Sequence, residues 1–515
     1  MTLIFIVVVI LGMWVMYDAG IVMREKIRIQ NTADNVAYST ATLVARDLNF
    51  IAYTNRGMAA NQAAIGQMVG LSSWAAMMEQ FATNIDTAAN FFPPAKPFTS
   101  TIKEGATASA DAMDDFARQM IRLNEYTIDG LTAAQWAFHN ATLVAVAEFS
   151  KDVAEMNDPL AESVMEEGDY SFPEAGYLVA EWNENIGPQF ELEKLSDDSP
   201  EALKSHQRFQ EFDEVVKGAR DRFTRRRSYE WGPPFTNPYP RLHGGDWESR
   251  KYGGSDFFRG VDESEDTYKW DWAGMETAGL YLRNCYPRPD PPGVEIECTS
   301  WAGDFPWTWG AAHVLDESAG EATFFNYGDP RFPDYDDYAD GRKRSHRSRW
   351  GKGAWRNPYS AAILLTSVEP NPYSGDHVQH KLMNIEGLRS FYAFREDGSD
   401  DYQMDTGPAI IALYVKNEAD LVNQSKTIEG RGGTVHDDLD ADRHGGLLNQ
   451  RLGGVAKAEP YFARPTDLTG WARADRQFEH GSLYNPFWQA RLVELTDAEK
   501  LAATAIITRG FEGGE

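Results

Sequence analysis

Three things are scarce in this chain of 515 residues: cysteine, early positive charge and early proline. The only cysteines are Cys285 and Cys298. No C-x-x-C pair occurs, which excludes a covalent haem attachment and a cysteine-pair zinc site. No Lys or Arg precedes Arg24, and no Pro precedes Pro93. Basic residues are in deficit throughout, 49 against 78 acidic, for a net charge of −29. Phosphate binding needs a basic surface, so nucleic acid is excluded as a partner. Motifs are missing too: there is no H-E-x-x-H, G-x-S-x-G, Walker A or G-x-G-x-x-G. With so many carboxylates, no catalytic pair stands out. The expectation is that the protein is not an enzyme.

What is present begins at the first residue. Met1 to Tyr17 (MTLIFIVVVILGMWVMY) carries no charge. Exposing that many large apolar side chains to water costs on the order of 20 kcal/mol, at roughly 1.5–3 kcal/mol each. The segment must therefore lie in a bilayer or inside other protein. The expected assembly core is Leu3, Ile4, Phe5, Ile6, Val7, Val8, Val9, Ile10, Leu11, Trp14 and Val15. A secretory signal needs a basic start and a small-residue cleavage site, and Met1–Met23 has neither. The basic residues Arg24, Lys26 and Arg28 follow the run, which by itself favours a cytoplasmic C-terminal bulk. The acidic, aromatic-rich remainder and the cysteine pair point outward. A basic leader cleaved before Met1 would reconcile the two; an uncleaved anchor is the alternative.

Beyond Asp18 the helical pattern continues. Ala33, Val36, Ala37, Ala41, Val44, Ala45 and Leu48 fall at three/four spacing and form a stem stripe rich in Ala. Small residues allow close helix–helix approach. A helix from Thr2 to about Thr54 would be about 80 Å long, and its partners are expected to be identical helices of other copies. Gly57, Gly66 and Gly70 should loosen the chain beyond it. Met58–Asn90 reads as a return helix, Phe91–Pro97 (FFPPAKP) as a break and Thr101–Met156 as a further helix. From Pro159 Trp, Tyr, Pro and Gly become frequent. A short helix is expected over Pro200–Arg225, ending in the solvated cluster Arg225–Arg227, with strands over Ala361–Val368 and Ala409–Val415. The fold class is thus α+β: a long hydrophobic stem helix (1–56), a helical region (57–160), a Trp/Pro/Gly-rich mixed head (161–380) and a β-rich C-terminal part (381–515).

Candidate sites are few. Cys285 and Cys298 bracket a Pro-rich loop, CYPRPDPPGVEIEC. In an oxidising compartment a disulfide there would stabilise by roughly 3 kcal/mol; two unrelated thiols are the alternative. His377 and His380 have H-x-x-H spacing but lack a third ligand in view. Asp438, Asp440 and Asp442 resemble the alternating oxygen ligands of a calcium loop, but Arg443 stands where Gly is required. Asp334, Asp336, Asp337 and Asp340 form a similar cluster. A solvated turn is the default at both acidic clusters, so no cofactor is expected, with calcium at Asp438, Asp440 and Asp442 the alternative.

Gln30 opens a stretch, IQNTADNVAYSTATLVARDLNFIAYTNRGMAANQAAIGQMVGLSSW, that follows an apolar helix. It resembles Tad-type (Flp, tight-adherence) pilus-assembly proteins of the TadE/TadG-like kind, with Gln30, Asn31, Thr32, Ala33, Asp34, Asn35, Val36 and Ala37 standing for their Q-N-A-A-D-A-A-A-like helix. The resemblance covers residues 1–75, with a fainter echo at Ser482–Leu492. It implies an exported envelope protein with a pilin-like N-terminal helix, held in the inner membrane before assembly. Type IV pilins usually carry Glu at the fifth mature position, where this chain has Phe5. The expected function is a structural subunit of an extracellular filament, its stems forming the core and its heads the surface. Its partners would be identical subunits, other pilus proteins or an external surface. The alternative is a single-pass anchored protein with a binding head.

Overall fold

The computed structural model describes residues 2–163, 186–189, 199–227, 229–231, 244–262, 267–290, 293–316, 380–394, 405–416, 429–430, 433–434, 452–465 and 479–509. Ala361–Val368, His377, the Asp334–Asp340 cluster and Asp438, Asp440 and Asp442 lie outside them. For Trp14, Asp18, Cys285 and Cys298 the backbone is described and the side chains are not.

The first helix, α1, runs from Thr2 to Ala88 without a break, well past the expected end near Thr54. The three glycines do not loosen it, because each is where a neighbour comes close. A Cβ on Gly57 would sit 3.1 Å from a Leu131 methyl group; one on Gly66 would run into the Trp272 ring, and one on Gly70 into the Arg227 guanidinium. Glycine costs a helix about 1 kcal/mol locally, and here that loss is offset by contact with side chains a larger residue would displace. The break falls where Pro93 and Pro94 forbid a helix, in two short 3₁₀ turns over Ala89–Phe91 and Pro93–Ala95. Helix α2 then runs Lys96–Asn157. The Asp86 carboxylate secures its start, accepting from Lys96, Thr99 and Ser100.

Three further helices are described: α3 (Pro200–Ala219), α4 (Arg222–Arg225, capped by Asp221) and α5 (Asp497–Arg509). The strands are β1 (Glu162–Ser163), β2 (Ile186–Gln189), β3 (Tyr229–Trp231), β4 (Gly244–Asp262), β5 (Thr267–Asp290), β6 (Gly293–Asp316), β7 (His380–Ile385), β8 (Phe391–Phe394), β9 (Ile410–Lys416), β10 (Glu429–Gly430), β11 (Gly433–Thr434), β12 (Leu452–Phe462) and β13 (Trp488–Val493). The α+β expectation holds at this level.

By internal contacts the chain forms two units. The first comprises Met1–Arg56, Ala133–Pro188 and Tyr392–Glu515. Its sheet is antiparallel in the order β1-β9-β12-β13. In the middle of β12 the buried positions Gly454, Ala456 and Ala458 are small and alternate with half-buried Val455 and Lys457. The second unit comprises Gly57–Thr132 and Gln189–Phe391. Its sheet has the order β3-β4-β5-β6-β7, with only the β6–β7 pair parallel. Phe257 stacks between Trp270 and Trp272, 4.9 Å from each ring, in its core. Arg227, expected in a solvated cluster, is buried there. It pairs with Glu276, donates to Ser255 and to the Phe223 and Thr224 carbonyls, and Lys251 completes the ion cluster. The stretch expected as a cysteine-closed loop is the end of the β5–β6 hairpin, where Cys285 is the ladder partner of Cys298 and Asp290 of Gly293.

Candidate functional site: the stem junction

Within the first unit, α1 changes character at Ile21. From Leu3 to Tyr17 no described large apolar side chain is less than 43% exposed, and they point in every direction around the helix. It is the one described helix long and apolar enough to cross a membrane. From Ile21 onward one face is buried. Ala33, Val36, Ala37, Ala41 and Val44 pack with Ile29 against Ile410, Ala412 and Tyr414 of β9, Ala456 and Ala458 of β12, and Val146, Val153 and Ala154 of α2. Ala45 and Leu48 continue the face with Ile51 into a cluster of Ile186, Tyr392, Phe462, Leu483 and Trp488. The whole stripe is thus filled by the chain's own sheet and second helix.

Small residues on both surfaces bring helix and sheet close. A Cβ on Gly454 would lie 2.6 Å from the Ile29 carbonyl oxygen. At that separation helix side chains can bond strand backbone directly. The Gln30 amide donates to the Val455 carbonyl (2.8 Å) and accepts from the Val455 N–H (3.4 Å). Asn49 does the same with Trp488, at 2.9 and 3.0 Å. Asn55 donates to the carbonyls of Tyr392 and Leu483, while Gln135 of α2 accepts from the Tyr392 N–H. These amides act as short strand partners and fix the register of the sheet on the helix. In the Gln30–Ala37 motif, Gln30 also donates to Asp34, and Asn35 bonds Asn157 of α2. Thr32, Ala33, Val36 and Ala37 are its buried residues.

Charges close the junction at its apolar end. Lys416, at the end of β9, donates to Glu25 and to Asp158, both at 2.7 Å, and all three side chains are fully buried. Arg24 reaches Glu25 at 2.8 Å and Arg28 reaches Asp158 at 3.5 Å. Lys26 donates to the Gly453 carbonyl. Burial alone would raise the Glu25 carboxyl; its bond to Lys416 and the Lys416 charge hold it below the ordinary range. Deeper in the unit, Asp47 meets His139 at 2.7 Å, with the Tyr392 ring 4.7 Å from the imidazole. Burial pushes the Asp47 carboxyl up, against the pull of His139.

The second unit holds a separate cluster. His380 and Ser72 bond opposite oxygens of Asp114, and Glu79 stands 3.5 Å from the other imidazole nitrogen. The carboxylate separates Ser from His, so the histidine does not activate the serine as a nucleophile. Among the described residues no group of three or more His, Cys, Asp or Glu could hold a metal ion.

Of the residues that the sequence singles out, the stripe is gathered into one surface and the apolar core residues stand exposed, with the Trp14 side chain outside the description. Sequence reasoning missed Glu25, Lys416, Asp158, Asn49 and Asn55. One signal was available: Glu25 falls four residues from both Ile21 and Ile29, so a charge sits in phase with the apolar stripe. No family model, no curated protein and no solved structure matches this chain.

Proposed function

We propose that the protein is a single-pass, membrane-anchored envelope protein: Thr2–Ile21 crosses the bilayer, and the rest is a head that docks on the continuation of the same helix. One observation carries the reading. The helix is exposed and apolar on all sides from Leu3 to Tyr17, and from Ile29 onward it is buried on one side by its own sheet and second helix. A span needs about 20 residues at 1.5 Å each to cross about 30 Å. The Ala stripe, which on sequence grounds suggested neighbouring copies, has its partners within the chain. Tad-type pilus assembly or adhesion remains the setting the sequence resemblance suggests. We assign the head a binding rather than a catalytic role, supported by the burial of Asp47–His139 and the Ser72–Asp114–His380 order. We also retain Cys285–Cys298 as a disulfide; their ladder pairing favours it, and peptide mass spectrometry without reduction reads it directly.

A filament subunit is the second reading, since like helices could cover Leu3–Tyr17 as well as lipid does. Reconstitution separates the two. The anchored protein floats with phosphatidylcholine vesicles and resists alkaline carbonate extraction. Filaments in electron micrographs of detergent-free material, with no vesicle association, would favour the second reading.

A further inference from the structure

We propose that the two turns of α1 after the apolar stretch form a binding surface for anionic phospholipid headgroups. The inference rests on the anchored reading above. If Thr2–Ile21 fills about 30 Å of hydrocarbon, residues 22–28 fall in the next roughly 10 Å, the headgroup layer. Ile21, Glu25 and Ile29 are buried, Glu25 and Ile29 against the protein's own sheet. The opposite side presents Met23 and Ile27, 65% and 56% exposed, with Arg24 exposed beside them. Apolar and cationic side chains interleaved on one exposed face suit the boundary between acyl chains and phosphates.

The charge balance supports the assignment. Arg24, Lys26, Arg28 and Lys416 supply four positive charges, and Glu25 and Asp158 supply two negative ones, so the junction carries +2 (4 − 2) in a chain of −29. Counting Asp18, six residues before Arg24, leaves +1 (2 − 1). The buried carboxylates are already held by Lys416, which leaves the Arg24 and Arg28 guanidiniums donors to spare. A phosphodiester can accept from a guanidinium fork without displacing these contacts.

The test uses the full-length chain in detergent micelles, offered equal amounts of phosphatidylglycerol and phosphatidylcholine, with retained lipid counted by native mass spectrometry. The expected result is preferential retention of phosphatidylglycerol, falling about fivefold for each cation removed in Arg24→Gln and Arg28→Gln and weakening with salt. Arg122→Gln, an exposed cation of α2, should leave it unchanged. Circular dichroism of each variant establishes that the fold is kept. Equal retention of the two lipids by the parent protein, or a preference unaltered in the folded double variant, would overturn the proposal. Failure to float with phosphatidylcholine vesicles would instead overturn the anchored reading on which it rests.

Discussion

Thr2–Gly20 and Ile21–Asn55 are consecutive stretches of one helix, and the solvents they require differ. In the first, apolar residues occupy every direction, and none of the described large ones is covered by the protein. In the second, the buried ones line one face, interrupted by polar residues that are themselves buried, among them Glu25, Thr32, Asp47 and Asn55. Hydrocarbon asks only for apolar surface. A sheet brings unpaired carbonyls and N–H groups with it, and these must be satisfied when buried. Side chains of the second stretch meet that demand, Asn55 on the Tyr392 and Leu483 carbonyls and Asn49 on both backbone groups of Trp488, while Glu25 pairs with the buried Lys416 side chain. The buried polar side chain in phase with an apolar stripe therefore distinguishes a helix docked on protein from one immersed in lipid.

Substitutions in the two stretches should separate cleanly. Lys416→Met leaves Glu25 and Asp158 buried without their shared cation, and removing one partner of a buried pair costs about 3–5 kcal/mol. Chemical denaturation of the head measures it. Its counterpart is Val8→Asp, which should leave head stability within about 0.5 kcal/mol while reducing membrane insertion by about 2.5–3.5 kcal/mol. If Val8→Asp unfolds the head, the two stretches are not independent.

Gly454→Val tests the close approach. Its side chain would meet the Ile29 carbonyl, and overpacking of this kind costs about 1–3 kcal/mol. Gln30→Leu should cost about 1–3 kcal/mol by leaving the Val455 backbone groups unpaired. Asn31→Leu, at the exposed neighbouring position, should change little. Equal effects at 30 and 31 would mean that the amide clamp contributes nothing.

The legible part of the fold is the part a local pattern can encode. The three/four spacing of Ala33, Val36, Ala37, Ala41 and Val44 tells that a face is buried, and it is. It does not tell what covers the face, because Ala accommodates a strand of Gly454, Ala456 and Ala458 as well as another helix. Gly57, Gly66 and Gly70 read as breakers because propensity is local; the rings and guanidinium they admit come from residues distant in sequence. Arg227 reads as a helix-end charge for the same reason, its partner Glu276 lying 49 positions away. The clamps at Gln30 and Asn49 are illegible, since an amide's identity does not name the strand it will bond.

The smallest expected effect is with pH. Glu25 is held below its ordinary range in the folded protein, so its contribution is present above the unfolded value near 4.5 and is lost as pH falls through the folded one. Asp47 is shifted upward, so its contribution has the opposite sign: full below 3.8 and lost as pH rises through its folded value. Asp47→Asn should remove the second slope and leave the first, as read from denaturation midpoints across pH 3 to 7 at about half-unit steps.

On the anchored reading, one copy of the chain satisfies its own stripe and leaves Thr2–Gly20 for the hydrocarbon of the bilayer. Light scattering coupled to chromatography of the full-length protein in detergent, corrected for the micelle, measures it most directly. A single 57.8 kDa chain per micelle is expected at micromolar concentration. A stable oligomer or filament that persists when Thr2–Gly20 is detergent-covered would contradict it.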